Sequence, residues 1–305
     1  MPLDPRARRF LDLIAGAARE PGDDELEAFR RATDGLAEFA APPAPVEREE
    51  HVFDLAGRRL KARVYAPLGA GADLLPGLVY FHGGGLVSGD LDSHDAICAS
   101  LADAGSCRVI AVHYRLAPNH RFPAAHDDAR EVLQAVAADP GTWRVDPARL
   151  AVGGDSAGGG LAVTAARDSG LALKLLLLLC PVLDPLAREP SRFALARGFL
   201  IEEATLERYW ALYRSAGVTP DDPRVAPLRA AHFRGFPPTR IHGAEFDPLK
   251  DEGELLARQI RAAGGEASAV VHAGLIHHFY GLTAIIPAAR EALRVVGEDL
   301  RQGLA

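Results

Sequence analysis

From residue 46 onward the chain alternates between short β-rich apolar runs and longer stretches in which apolar residues recur at helical spacing. His51 to Leu55 and Lys61 to Tyr65 flank a turn at Gly57 and read as an antiparallel pair. Six further runs follow, at Gly77 to Phe81, Arg108 to His113, Arg149 to Gly153, Lys174 to Cys180, Thr239 to His242 and Ala267 to His272. Most are separated by helical patterns: Ala96 to Ala104, Ala125 to Ala138, Ala157 to Asp168, Glu252 to Ala263 and Thr283 to Leu300. This alternation predicts an α/β fold, an open and mostly parallel sheet with helices on both faces. Asp184 to Pro238 is longer than a strand connection needs and carries a helical pattern near Glu203 to Tyr213, so it reads as an insertion packed over the sheet. Ahead of the sheet, residues 1 to 40 read as two helices. They break near Pro21-Gly22-Asp23-Asp24, where the aspartates cap the second, and Ala41 to Pro45 forms an extended linker.

Composition narrows the partners. The 305 residues are 48% hydrophobic and carry a net charge of −7, which excludes global disorder and leaves no basic surface suited to nucleic acid. Only Lys61, Lys174 and Lys250 among the 34 basic residues are lysines, a skew that names no function. Cys98, Cys107 and Cys180 form no metal-spaced or disulfide pattern and read as core thiols in a reducing cytoplasm. Arginines ahead of Phe10 to Ala17 imitate a signal peptide, but Asp12 interrupts the apolar run. Phe10, Leu11, Ile14 and Ala17 share one face of an amphipathic helix instead. Leu171 to Leu183, the most apolar stretch, is too short to span a bilayer and reads as a buried strand, so no stable membrane insertion is expected.

The chemistry centres on Gly154-Asp155-Ser156-Ala157-Gly158, which joins a strand ending at Gly153 to a helix through Leu161 and Thr164. G-x-S-x-G in a strand–turn–helix context is a nucleophile elbow: the serine sits on a strained turn, and side chains two positions either side would collide with neighbouring backbone. A phosphate loop is excluded because no G-K-[ST] follows. His82-Gly83-Gly84-Gly85 follows another strand directly. Amides of Gly83 and Gly84, with that of Ala157 at the start of the elbow helix, make a three-donor hole for the oxyanion of acyl transfer.

Serine needs a base from the same edge of the sheet. His277 and His278 follow the last strand, and the base is one of this pair. Asp247, after the preceding strand, is the candidate for the acid that orients it, with Asp184 and Asp251 as rivals. The chain order Ser156, Asp247, His277 is that of an α/β-hydrolase.

With H-G-G-G at His82, Tyr114-Arg115-Leu116-Ala117-Pro118 continuing to Phe122-Pro123-Ala124-Ala125, G-D-S-A-G at Ser156, and Asp247-Pro248-Leu249-Lys250-Asp251-Glu252-Gly253, the chain resembles the hormone-sensitive-lipase-like bacterial carboxylesterases. The match covers most of residues 46 to 305. Two departures stand out: His278 where the family usually has Gly, and Asn119 where it has Glu. The resemblance assigns the base to His277. It implies an eight-stranded sheet under a two-part helical cap, frequent homodimers, and a serine carboxylesterase acting on small-molecule esters with short to medium acyl chains, a mechanism that requires no cofactor or metal. The expected division is a cap segment at 1–45, catalytic core at 46–184, a cap insertion at 185–225 and core again at 226–305. The competing functions are a ligand-binding receptor on the same fold, against which the complete Ser156, Asp247 and His277 set argues, and a serine amidase or peptidase, disfavoured by H-G-G-G and by length.

Overall fold

The computed structural model describes residues 1–15 and 25–305. The expected helix break and caps at Pro21 to Asp24, and Ala17, lie outside the described residues. Eight strands form one sheet: β1 (Val46–Leu55), β2 (Arg58–Pro67), β3 (Leu75–Phe81), β4 (Arg108–Val112), β5 (Val145–Asp155), β6 (Leu175–Leu179), β7 (Thr239–Phe246) and β8 (Ala267–Ile276). Their order is β1-β2-β4-β3-β5-β6-β7-β8. β2 runs antiparallel to β1 and β4, and every other neighbouring pair is parallel. The helices are α1 (Pro5–Ala15), α2 (Glu25–Gly35), α3 (Asp95–Gly105), α4 (Ala124–Ala138), α5 (Pro140–Trp143), α6 (Ser156–Asp168), α7 (Pro190–Ala194), α8 (Glu203–Tyr213), α9 (Lys250–Ala262) and α10 (Pro287–Gly303).

The period-2 geometry of a strand sends alternate side chains to opposite faces, and both faces are covered. Val79, Phe81, Val152, Leu176 and Leu178 pack toward α4, α6 and α9, in one core with Leu133, Leu161 and Leu256. Leu78, Tyr80, Ala151, Leu175 and Leu177 pack toward α3 and α10, with Leu101, Val296 and Leu300. This is why β6 reads as five consecutive leucines: a strand buried on both sides has no polar face. Each fully buried leucine contributes roughly 2 kcal/mol. Helix α1 buries Ala7, Phe10 and Leu11, and Phe10 meets Phe39 edge-on at 5.0 Å between ring centres. Among the described residues no helix is long and apolar enough to cross a membrane. Cys98, Cys107 and Cys180 are buried and free.

Some of the arginine excess is structural. Arg58 and Arg115 both bond the fully buried carboxylate of Asp128, Arg115 through Nε and Nη2, a fork geometry that lysine lacks.

The sheet also sets the positions that matter for chemistry. His82, Ser156, Asp247 and His277 each immediately follow the last residue of a parallel strand, β3, β5, β7 and β8 respectively. Four residues distant in sequence therefore share one edge of the sheet, where ligands bind in open α/β folds.

Candidate active site

At that edge the structure brings together Ser156, Asp247 and His277. His277 Nε2 lies 3.2 Å from Ser156 Oγ, and His277 Nδ1 lies 2.8 Å from Asp247 Oδ2. The second carboxylate oxygen of Asp247 accepts the amide of Leu249 at 2.8 Å, so the acid is held from both sides. All three residues are buried. The rivals are engaged elsewhere: Asp184 Oδ2 accepts Arg229 Nε at 2.7 Å and Asp251 accepts the Ser191 amide at 2.8 Å.

Ser156 adopts φ +50°, a left-handed conformation that costs a non-glycine residue about 1 kcal/mol. The flanking glycines make that turn possible. A Cβ on Gly158 would strike the carbonyl oxygens of Phe81 and His82, and one on Gly154 would meet the Phe81 carbonyl. The turn therefore sits against the end of β3, beside the H-G-G-G loop.

That loop requires a correction to the expected hole. The amide of Gly83 is not aimed at the nucleophile: it donates to Asp155 Oδ1 at 3.0 Å. An amide already bonded to a buried carboxylate is not free to meet an oxyanion. Gly84 and Gly85, with φ +107° and +65°, turn the chain so that both border the cleft at Ser156. Ala157, second residue of α6, has no carbonyl one turn back to accept from its amide.

Sequence reasoning missed the residues that hold the loop. Asp155 Oδ1 also accepts the Tyr80 hydroxyl at 2.8 Å, and Oδ2 lies 3.4 Å from His94 Nε2. Burial pushes the Asp155 carboxyl up, but His94, His278 and the Tyr80 hydroxyl outweigh it and hold it below the usual carboxylate range. His82 donates from Nδ1 to the Gly83 carbonyl at 2.8 Å, and its own carbonyl accepts the Tyr114 hydroxyl at 2.7 Å. Burial and nearby His94 lower the His82 pKa to about 3, so it is a neutral strut. The one available signal was position: Asp155 is the variable residue of G-x-S-x-G.

Above the site, Phe29 of α2 and Tyr209 of α8 meet with ring centres 5.2 Å apart. Of the other aromatics in the N-terminal segment and the insertion, Phe39 lines the cleft, Trp210 lines a narrower pocket beside Ser156, Phe199 packs on Phe246, and Phe193 is exposed to solvent.

A family model described as the α/β-hydrolase fold matches residues 78–281. The chain belongs to the α/β-hydrolase family. It is 39% identical to an ethyl acetate hydrolase of Pseudomonas putida, with both chains covered in full, and 37% identical to the carboxylic ester hydrolase LipN of Mycobacterium tuberculosis over 92% of this chain and 77% of that one. Among solved structures, an esterase of the archaeon Pyrobaculum calidifontis superposes with a TM-score of 0.91 at 33% identity, covering both chains fully. A thermostable esterase of Pseudomonas putida gives 0.93 at 29% identity, covering all of this chain and 98% of that one. Within the α/β-hydrolases the chain is one of the hormone-sensitive-lipase-like carboxylesterases, a hydrolase.

Proposed function

We propose that this hydrolase cleaves short- to medium-chain acyl esters through an acyl-enzyme on Ser156. His277 takes the Ser156 proton as the hydroxyl attacks the carbonyl, and Asp247 fixes the tautomer with hydrogen on Nδ1 and stabilises the imidazolium. Amides of Gly84, Gly85 and Ala157 receive the oxyanion. His277 then protonates the departing alcohol, and water activated by the same ring releases the acid. No step calls for a metal or organic cofactor. The observation that carries this assignment is the chain of contacts from Asp247 through His277 to Ser156, 2.8 and 3.2 Å long.

Residues 1–45 and 185–225 act as the cap in this scheme, supported by the contact of Phe29 with Tyr209 above Ser156. A cytoplasmic setting is supported by three buried free thiols, and a homodimer by the family resemblance. The small-molecule ester separates from an amide by one comparison. Turnover of p-nitrophenyl butyrate should exceed that of the matching p-nitroanilide by several orders of magnitude, and comparable rates would favour an amidase.

A further inference from the structure

Helix α2 of the N-terminal segment lies across the glycine loop and bonds it at two consecutive residues. Arg30 Nε donates to the Val87 carbonyl at 3.3 Å, and Thr33 Oγ1 lies 2.8 Å from Ser88 Oγ. Neither contact touches Ser156, Asp247 or His277, yet both bear on the turn that follows Gly84.

Within that turn one carbonyl collects three donors. Gly84 O accepts the amides of Val87 and Ser88 at 3.1 and 2.9 Å and the Ser88 hydroxyl at 2.9 Å. A hydroxyl has a single proton to give. With that proton on Gly84, Ser88 Oγ accepts from Thr33 Oγ1, for whose proton the Phe29 carbonyl at 3.1 Å is the longer alternative. The bonds therefore run from Thr33 to Ser88 to Gly84, and a hydroxyl that accepts a bond donates a stronger one. Burial raises the pKa of the Tyr209 hydroxyl of α8, and the hydroxyls of Ser88 and Thr33 beside it oppose that rise, so the insertion reaches the same pair.

The peptide that links Gly84 to Gly85 is trans, so its N–H points opposite its carbonyl. Pinning Gly84 O toward Ser88 turns the Gly85 amide to the far side. Among the described residues that amide has no acceptor of its own. Both glycines border the cleft at Ser156. Tyr209 closes the other flank, since a Cβ on Gly85 would fall among its ring atoms.

We propose that Thr33 and Ser88 are positioning residues that aim the Gly85 amide at the oxyanion, which makes helix α2 a working part of the oxyanion hole. This rests on the oxyanion role given above to Gly85. Because the amide acts on the transition state, breaking the Thr33–Ser88–Gly84 chain lowers turnover and leaves substrate binding nearly unchanged.

Ser88→Ala removes the hydroxyl but leaves both backbone donors on Gly84. Its kcat for p-nitrophenyl butyrate should fall about tenfold, with KM within about twofold of wild type. A trifluoromethyl ketone forms a hemiketal with the nucleophile that places its oxygen in the hole, so its Ki should rise by the same factor. An inactive fraction of enzyme would lower kcat without moving Ki. A fallen kcat with an unchanged Ki therefore overturns the proposal, as does an unchanged kcat. Thr33→Val should lower kcat about threefold, and the double variant should be no worse than Ser88→Ala, because Thr33 acts through Ser88. Two effects that multiply would put Thr33 on a separate route and overturn the chain. Ser156→Ala separates the two levels of inference: turnover by that variant, or ketone binding as tight as wild type, defeats the catalytic reading itself. An inactive Ser156→Ala beside a Ser88→Ala with wild-type kcat and Ki defeats only the positioning roles.

Discussion

The amide of Gly83 donates to the Asp155 carboxylate at 3.0 Å, and that bond sets which amides of the glycine loop face the nucleophile. Asp155 and Ser156 are consecutive, so the residue that orients the loop is covalently tied to the residue proposed to attack. The same carboxylate holds the Tyr80 hydroxyl and neighbours His94. Asp155→Asn keeps an acceptor for one donor but loses the charge. It should lower kcat by about 10- to 100-fold with little change in KM, because the displaced amides act on the transition state. Steady-state kinetics on p-nitrophenyl butyrate measure both constants, and a wild-type kcat would show that the loop holds its shape without Asp155.

Adjacent histidines offer a clean contrast. His277 contacts both Asp247 and Ser156, whereas His278 sits at φ +60° with its ring toward His94 and Tyr280. His277→Ala should lose about 10⁴-fold in kcat/KM. His278→Gly suits the left-handed backbone without strain and should stay within about tenfold of wild type. The reverse pattern of losses would move the base to His278.

Acid should unfold the protein sooner than its carboxylates alone would. Burial, first of all, lowers His82 and His278 to about 3 and His126 to about 4. Below pH 6.5 the unfolded chain takes up protons that these folded rings refuse, so stability is complete above 6.5 and is lost as pH falls. Each ring costs about 2 kcal/mol by pH 5. Glu252 works in the opposite sense. Burial pushes it up to about 7 although Arg192 pulls it down, so the folded form holds its proton more tightly and gains about 2 kcal/mol on the same descent. These three histidines outweigh one carboxyl, and His272, lowered by burial to about 4, adds in the same sense, for a net loss of at least about 4 kcal/mol between pH 7.5 and 5. Urea unfolding at the two pH values measures this, and His126→Gln should reduce the difference; equal midpoints would contradict the balance.

Much of this site was legible in the chain because its parts are local. Ser156 announced itself through glycines that the turn against Phe81 demands, and strand ends placed Asp247 and His277 at one edge. Which amides serve the oxyanion was not legible. Three consecutive glycines look equivalent in sequence, and the one that is spent was decided by a carboxylate 72 positions away. The cap resisted reading for a related reason: Phe193 and Phe199 differ by six positions, yet one faces solvent and the other packs on Phe246. Aromatic identity does not encode which side of an irregular segment meets the core.

Every step of the proposed mechanism depends on Ser156 Oγ as the nucleophile. Treating the enzyme with diethyl p-nitrophenyl phosphate and mapping the product by peptide mass spectrometry tests it most directly. A single diethylphosphoryl group should appear on the peptide bearing Ser156, in step with loss of esterase activity, and Ser156→Ala should neither label nor turn over p-nitrophenyl butyrate. Labelling of another residue that tracks inactivation, or an active Ser156→Ala enzyme, would contradict it.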